Sequence, residues 1–253
     1  MIAQGLIFPF KDLVSECEVM KIYAKDVLDK TTVGVLDELK GNLENIQKRG
    51  PTDKTTPWQI PRDRPLRTVW SNGESQPSNK SKHKVRGVFS FIWDIRPLDE
   101  GKWTGRKHLL LDGKASTVIH IMEECDDGER CLARWAVEVG DHQSPGVHFH
   151  VQLNGFDGPP FPKSLDIPRL PGLPMSPFLA IESGIGELFQ DRWKQHAVAD
   201  NRETNSWRNI HRPRLTRYFS WQERCLERSA GSPWMALKLA KPEPELLVAV
   251  APA

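Results

Sequence analysis

The four cysteines of this chain, Cys17, Cys125, Cys131 and Cys225, include no Cys-x-x-Cys pair. A zinc ribbon or finger is thereby excluded, and the thiols read as buried or reduced. No run reaches the ~18 apolar residues that a membrane-spanning helix needs. Residues 1–10 are apolar but have no basic leader and run into Lys11-Asp12, which makes a poor signal peptide. The default expectation is a cytoplasmic protein with no membrane partner. An excess of charge of one sign is also missing: the formal net charge is +2, so any basic surface must arise by local clustering. There is no P-loop, Gly-x-Ser-x-Gly elbow, His-Glu-x-x-His helix, EF-hand loop or dinucleotide fingerprint, and no internal repeat. The commonest signatures of phosphate, hydrolase and metal chemistry are therefore absent, and the sequence names no cofactor.

What is present suits a globular protein. Apolar residues make up 38% and charged residues 27%, and nine Trp with ten Phe supply large side chains for a core. The chain reads as one domain in six stretches: a helical segment (1–49), a basic loop (50–86), an antiparallel sheet (87–153), a proline-rich strap (154–176), C-terminal helices (177–230) and a tail (231–253). In the first, Leu13, Cys17, Met20, Ala24, Val27 and Leu28 recur at three- and four-residue steps. Leu36, Leu39, Leu43 and Ile46 resume the pattern after Thr31-Thr32, and Gly50-Pro51 stops it. This predicts one kinked helix or a helical pair. The loop carries Lys80, Lys82 and Lys84 in a polar run with few apolar residues.

Strand-forming runs follow at 88–95, 117–122, 132–139 and 147–153, with Asp126-Asp127-Gly128-Glu129 as a hairpin signal between the second and third. Short connections imply a meander. A longer loop with Gly101, Gly105 and Gly113 precedes Thr117. The strap holds seven prolines between 154 and 177, which suits an extended segment pinned by apolar side chains. Ser176-Pro177 then reads as a helix cap and first turn, followed by the stripe Phe178, Ile181, Ile185, Leu188, Phe189, Trp193; Gly184 and Gly186 would allow a close neighbour. A second helix is expected to start after Arg212-Pro213, and residues 246–250 to form an edge strand or a docked tail. The expected fold class is thus α+β: an antiparallel sheet of four or more strands at about 86–153, with N- and C-terminal helices packed on it and a Pro-rich strap.

The most informative run is Val147-His148-Phe149-His150-Val151-Gln152-Leu153. Its strict alternation puts Val147, Phe149, Val151 and Leu153 on a core face and His148, His150 and Gln152 on the other. One reading is a metal site, with His148 and His150 on one strand and His120, His142 or Asp141 as a third ligand. The cupin pattern would add a Glu just downstream, but Asn154-Gly155 stand there. In a second reading, His148-Phe149-His150-Val151-Gln152 resembles the His-x-His-x-Gln variant of the histidine-triad superfamily, in the branch of galactose-1-phosphate uridylyltransferases and dinucleotide-polyphosphate phosphorylases. That resemblance implies covalent nucleotidyl transfer, with His150 attacking the α-phosphorus and His148 and Gln152 holding phosphate oxygens. It covers these residues alone. A third reading is ligand recognition by a polar sheet face to which Arg134 also contributes; on its strand Arg134 and Glu138 share a face, opposite Trp135 and Val137.

The clearest charge signal lies near the C-terminus. Arg202, Arg208, His211, Arg212, Arg214, Arg217, Arg224 and Arg228 sit among Trp207, Tyr218, Phe219 and Trp221, with few acids. Arginine interleaved with aromatics suits phosphate forks and stacking. The expected function is a binding protein for an anionic partner, nucleic acid or a nucleotide, through Arg208, Arg212, Arg214, Arg217, Tyr218 and Trp221; a protein partner also fits the segment. The alternative is a small hydrolase or nucleotidyl-transfer enzyme using the histidine strand. The helix–meander–strap–helix order also resembles the ubiquitin-conjugating fold, as topology only, since no cysteine follows the meander as a nucleophile.

Overall fold

The computed structural model describes residues 5–49, 53–74, 84–140, 146–153 and 169–248. Its centre is three long strands, β5 (Lys84–Leu98), β6 (His108–Cys125) and β7 (Gly128–Val139), each longer than the sequence pattern suggests. Gly128 closes the hairpin between β6 and β7 at φ 130°, a conformation open to glycine. The glycine-marked loop ahead of Thr117 is shorter than expected, because β6 already begins at His108. Within it Gly113 at φ 136° lets Asp94 Oδ2 accept from the Lys114 N–H at 2.9 Å, beside a register shift between Trp93 and Ile95.

Four shorter strands come before these. β1 (Leu6–Pro9) pairs with β6; β2 (Thr56–Ile60), β3 (Leu66–Arg67) and β4 (Ser71–Asn72) all pair with β5. The expectation of a loop over 50–86 is corrected here: Trp58 and Ile60 alternate inward, and proline-flanked strands this short carry a weak pattern. Lys80 and Lys82 lie outside the described residues, while Lys84 opens β5 and pairs with Glu124 at 2.8 Å. β8 (Phe149–Leu153) and β9 (Arg169–Pro171) complete a nine-stranded sheet, antiparallel at every pairing, ordered β2-β5-β6-β7-β8-β9 along its main path. Of the strap, only its end from Arg169 is described. Its first three residues are β9, and Leu173 packs on the core.

One face of this sheet is apolar. Phe89, Ile119 and Trp135 lie side by side on β5, β6 and β7, as do Phe91, Thr117, Val137 and Val151 on β5 to β8. Helices α1 (Phe10–Tyr23), α2 (Val35–Lys48), α3 (Pro177–Ala197) and α4 (Arg202–Glu227) share one core with this face. Residues 11–49 are thus a helical pair. Trp58, wholly buried, stacks edge-on with Phe91, Trp93 and Phe178 and donates its indole N–H to the Leu39 carbonyl at 3.1 Å. Ser176 caps α3 by accepting from the Leu179 N–H at 3.2 Å, and the expected stripe from Phe178 to Trp193 is buried. Gly184 is where α3 meets the sheet: a Cβ there would lie 2.9 Å from the Phe89 ring.

Helix α4 does not start after Pro213. Asn201 caps it, accepting from the Thr204 N–H at 2.8 Å, and Pro213 lies inside. An interior proline removes one helical hydrogen bond and costs about 3 kcal/mol. Burial of Trp207 and Tyr218 on either side of it offsets that cost. The last helix among the described residues is α5 (Pro233–Leu239); beyond it Leu247 and Val248 are buried without forming a strand.

Candidate functional site on the second face of the sheet

Residues directly opposite in an antiparallel pair share a face. The register therefore fixes the second face of the sheet in rungs. One rung reads Gln59, Ile92, Ser116, Glu138, His150 across β2, β5, β6, β7 and β8. The next reads Ser90, Val118, Ala136, Gln152, and the third Val88, His120, Arg134. Successive rungs are about 6.6 Å apart, two residues of strand.

The histidine strand follows the expected alternation, with Phe149 in the core and Val151 packed against it, and His150 and Gln152 on the second face. His150 is 4% exposed. Its Nδ1 lies 3.0 Å from the Val147 carbonyl and its Nε2 3.3 Å from Glu138 Oε2. Both ring nitrogens thus face acceptors supplied by the protein, and a nucleophile needs one of them free. Ser116 donates to Glu138 Oε1 at 2.9 Å, so the carboxylate sits between serine and histidine. In a Ser-His-acid triad the histidine takes the middle place. His148 is 3% exposed, lies just ahead of β8, and accepts from the Gly140 N–H through its carbonyl. His120 sits two rungs and two strands from His150, a backbone separation of roughly 16 Å by strand spacing, more than two imidazole side chains can span with each nitrogen ~2 Å from one zinc ion. Among the described residues no three His, Cys, Asp or Glu side chains are grouped to hold a metal ion. Asp141 and His142 lie outside the described residues.

The rungs floor a groove of about 440 Å³ lined by Gln59, Arg62, Ser90, Ile92, Lys114, Ser116, Val118, Arg134, Ala136 and Glu138 among others. Its chemistry is cationic. Arg62, Lys114 and Arg134 make no ion pair among the described residues, and the Arg134 Nε is buried with no hydrogen-bond partner. An unpaired buried donor on a guanidinium is costly to leave unmet. His120 lies beside this cluster. Burial first, then the Arg134 and Arg62 guanidiniums, hold its imidazole below the ordinary value, so it is neutral at pH 7. The floor between the charged ends is small or apolar: Ile92, Val118 and Ala136.

The C-terminal arginines divide. Arg208 and Arg212 are exposed. Arg214 is 3% exposed; it donates to Glu16 Oε1 at 2.5 Å and to Asp12 Oδ2 at 3.1 Å, tying α4 to α1. Ser176 also donates to Glu16, and the His211 Nε2 lies 3.9 Å from it. Burial raises the Glu16 carboxyl, against the opposing pull of Arg214 and Ser176. Burial, then Arg214, keeps His211 well below its ordinary value and neutral. Arg217 donates to the Leu247 carbonyl at 2.6 Å, fixing the chain end. Tyr218 is buried and donates to the Gly172 carbonyl at 2.9 Å, and Trp221 packs edge-on against Phe149 at 6.2 Å. Of the six residues expected to meet a partner here, Arg208 and Arg212 alone are fully exposed.

Sequence reasoning placed Arg134 and Glu138 on one face but missed Arg62, Lys114, Ser90 and Ser116. Ser90 was legible as a polar position inside the run 88–95, whereas Ser116 lies just ahead of the run 117–122; their neighbours across the sheet needed the register. Compared with protein-family models, with curated proteins and with solved structures, the chain matches none.

Proposed function

We propose that this chain is a binding protein for a small anionic ligand of nucleotide size, held in the groove on the second face of the sheet. The observation that carries the reading is Arg134: a guanidinium set in a groove wall, its Nε buried and without a hydrogen-bond partner among the described residues, with Arg62 and Lys114 lining the same space. Guanidinium forks suit phosphate oxygens. The groove volume falls in the range of small-ligand sites, and its apolar floor suits a ring laid on Val118 and Ala136. Nucleic acid is the less supported partner. Base stacking wants exposed aromatics, and of the aromatic residues on α4 only Phe219 is substantially exposed. Glu223 and Glu227 also stand on that helix.

Calorimetric titration of the full chain with ATP, and separately with inorganic pyrophosphate, tests the reading. Saturable binding that weakens with salt is expected, and Arg134→Met should weaken it about tenfold or more, the worth of a charged hydrogen bond. Arg228→Ala, exposed at the end of α4, is the control and should leave affinity unchanged. Absence of binding by either probe, or equal affinity in Arg134→Met, refutes the assignment.

A further inference from the structure

The exposed face of α4 carries a charge pattern that its own chain does not neutralise among the described residues; Arg208 donates to Asn205 Oδ1 at 2.5 Å, a neutral partner one turn back. Arg208, Arg212, Phe219, Glu223 and Leu226 fall within about 40° of one line along the helix, with Glu227 at its edge, since steps of four and seven keep a face. Phe219 is 55% and Leu226 42% exposed, and a shallow hollow lies beside them, lined also by Thr216, Gln222, Glu223 and Glu227. The basic residues lie toward the N-terminal end of this stripe and the acids toward its C-terminal end. None of the four charges makes an ion pair among the described residues. Arg212 has Thr216 one turn on, and Glu223 has Phe219 one turn back. Glu223 and Glu227 also stand near the carbonyl-rich end of α4, where the helix dipole disfavours anions. Within one chain the arrangement is mildly unfavourable.

We infer that α4 is a homodimer interface, packing antiparallel on α4 of a second copy. A two-fold axis midway between Arg217 and Tyr218 in sequence pairs Arg212 with Glu223 of the second copy and Arg208 with Glu227, all four contacts being made at once. The two Phe219 rings then flank the axis and enter each other's hollows, and the arginine stems cover Leu226. A two-fold interface must be self-complementary, and a stripe basic at one end and acidic at the other meets that condition only when antiparallel. The occupant is therefore a second copy of this chain.

Sedimentation equilibrium on the full chain tests this. Wild type should show a monomer–dimer equilibrium. R208E/R212E and E223R/E227R should each raise the dissociation constant about tenfold or more. Mixed in equal amounts, the two variants should restore a heterodimer near wild-type affinity, because one chain is then acidic and the other basic along the whole stripe. Phe219→Ala leaves every charge in place and should also weaken the dimer; far-UV circular dichroism verifies that the helix persists in each variant. A protein that stays monomeric to millimolar concentration overturns the inference. So does a dimer indifferent to both charge reversals, or a mixture of the two that fails to associate.

Discussion

Arg214→Met separates a structural arginine from a ligand-binding one. Among the described residues the guanidinium is the only full positive charge touching Glu16, which is wholly buried, and His211 beside it is neutral. Without Arg214, Glu16 has the Ser176 hydroxyl alone, and its carboxyl escapes the cost of burial by taking up a proton. Against an unfolded value of 4.5, holding that proton at pH 7 costs about 3.4 kcal/mol, at about 1.36 kcal/mol per pH unit. Wild type, whose Glu16 is already raised by burial, carries part of this cost, while the lost packing of the arginine stem adds to the variant's. The expected loss is about 2–4 kcal/mol, close to what breaking a buried ion pair costs elsewhere. The sign of the pH dependence follows from the raised folded value: the variant binds one more proton folded than unfolded above pH 4.5, so its stability falls as pH rises. The gap to wild type therefore narrows from pH 7 toward pH 4.5. Urea denaturation at several pH values reads both effects, and Glu16→Leu combined with Arg214→Met should recover most of the loss. A loss under about 1 kcal/mol, or a gap that does not shrink on acidification, refutes the buried-pair account.

Three further outcomes follow from the packing and the buried charges. Gly184→Val should cost about 1–3 kcal/mol by driving a side chain into the Phe89 ring, seen as a lower denaturant midpoint with unchanged slope. Gly41→Ala, in the interior of α2 with open space around it, should instead stabilise by about 0.5–1 kcal/mol in the same assay. Burial raises the Glu182 carboxyl above its ordinary value, although the Trp207 N–H and the Tyr23 hydroxyl donate to it at 2.5 and 3.0 Å. Glu182 thus favours the folded state below about pH 4.5 and loses that contribution as pH rises through its folded value, so Glu182→Gln should flatten stability between pH 4.5 and 7; an unchanged slope counts against it.

The sheet and the helix α3 were legible because period and punctuation agree there. Val147 to Leu153 alternates without a fault, and Ser176-Pro177 announces a helix whose stripe runs from Phe178 to Phe189 before the backbone kinks at Gln190, at φ 32°, with Trp193 buried beyond the kink. The segment 56–72 was illegible for a physical reason: strands of two to five residues between prolines hold too few positions for alternation to stand out, and they exist because β5 is long enough to pair with each in turn. The groove was half legible. Arg134 and Glu138 share a face by parity alone, but Arg62 and Lys114 reach it through loop and bulge geometry that no periodicity encodes.

The arginines of α4 mark the deeper difficulty. Residue type said surface, and for Arg214 position decided otherwise. Thr204, Trp207, His211, Arg214 and Tyr218 recur at steps of three and four, the stripe of a helix packed on a core, and all five are buried. That stripe passes through Pro213, so a helix expected to begin at the proline cuts it in two and leaves Arg214 looking like one of a basic cluster. Restoring the full helix sorts the cluster by angle. One face carries the polar groups that lock α4 to Glu16 and to Gly172, and a second face, roughly 100° around the helix, carries Arg208, Arg212, Phe219, Glu223 and Leu226. The same chemical signal therefore splits into a buried set that holds the fold and an exposed set that faces outward, and angle around the helix separates them where composition does not.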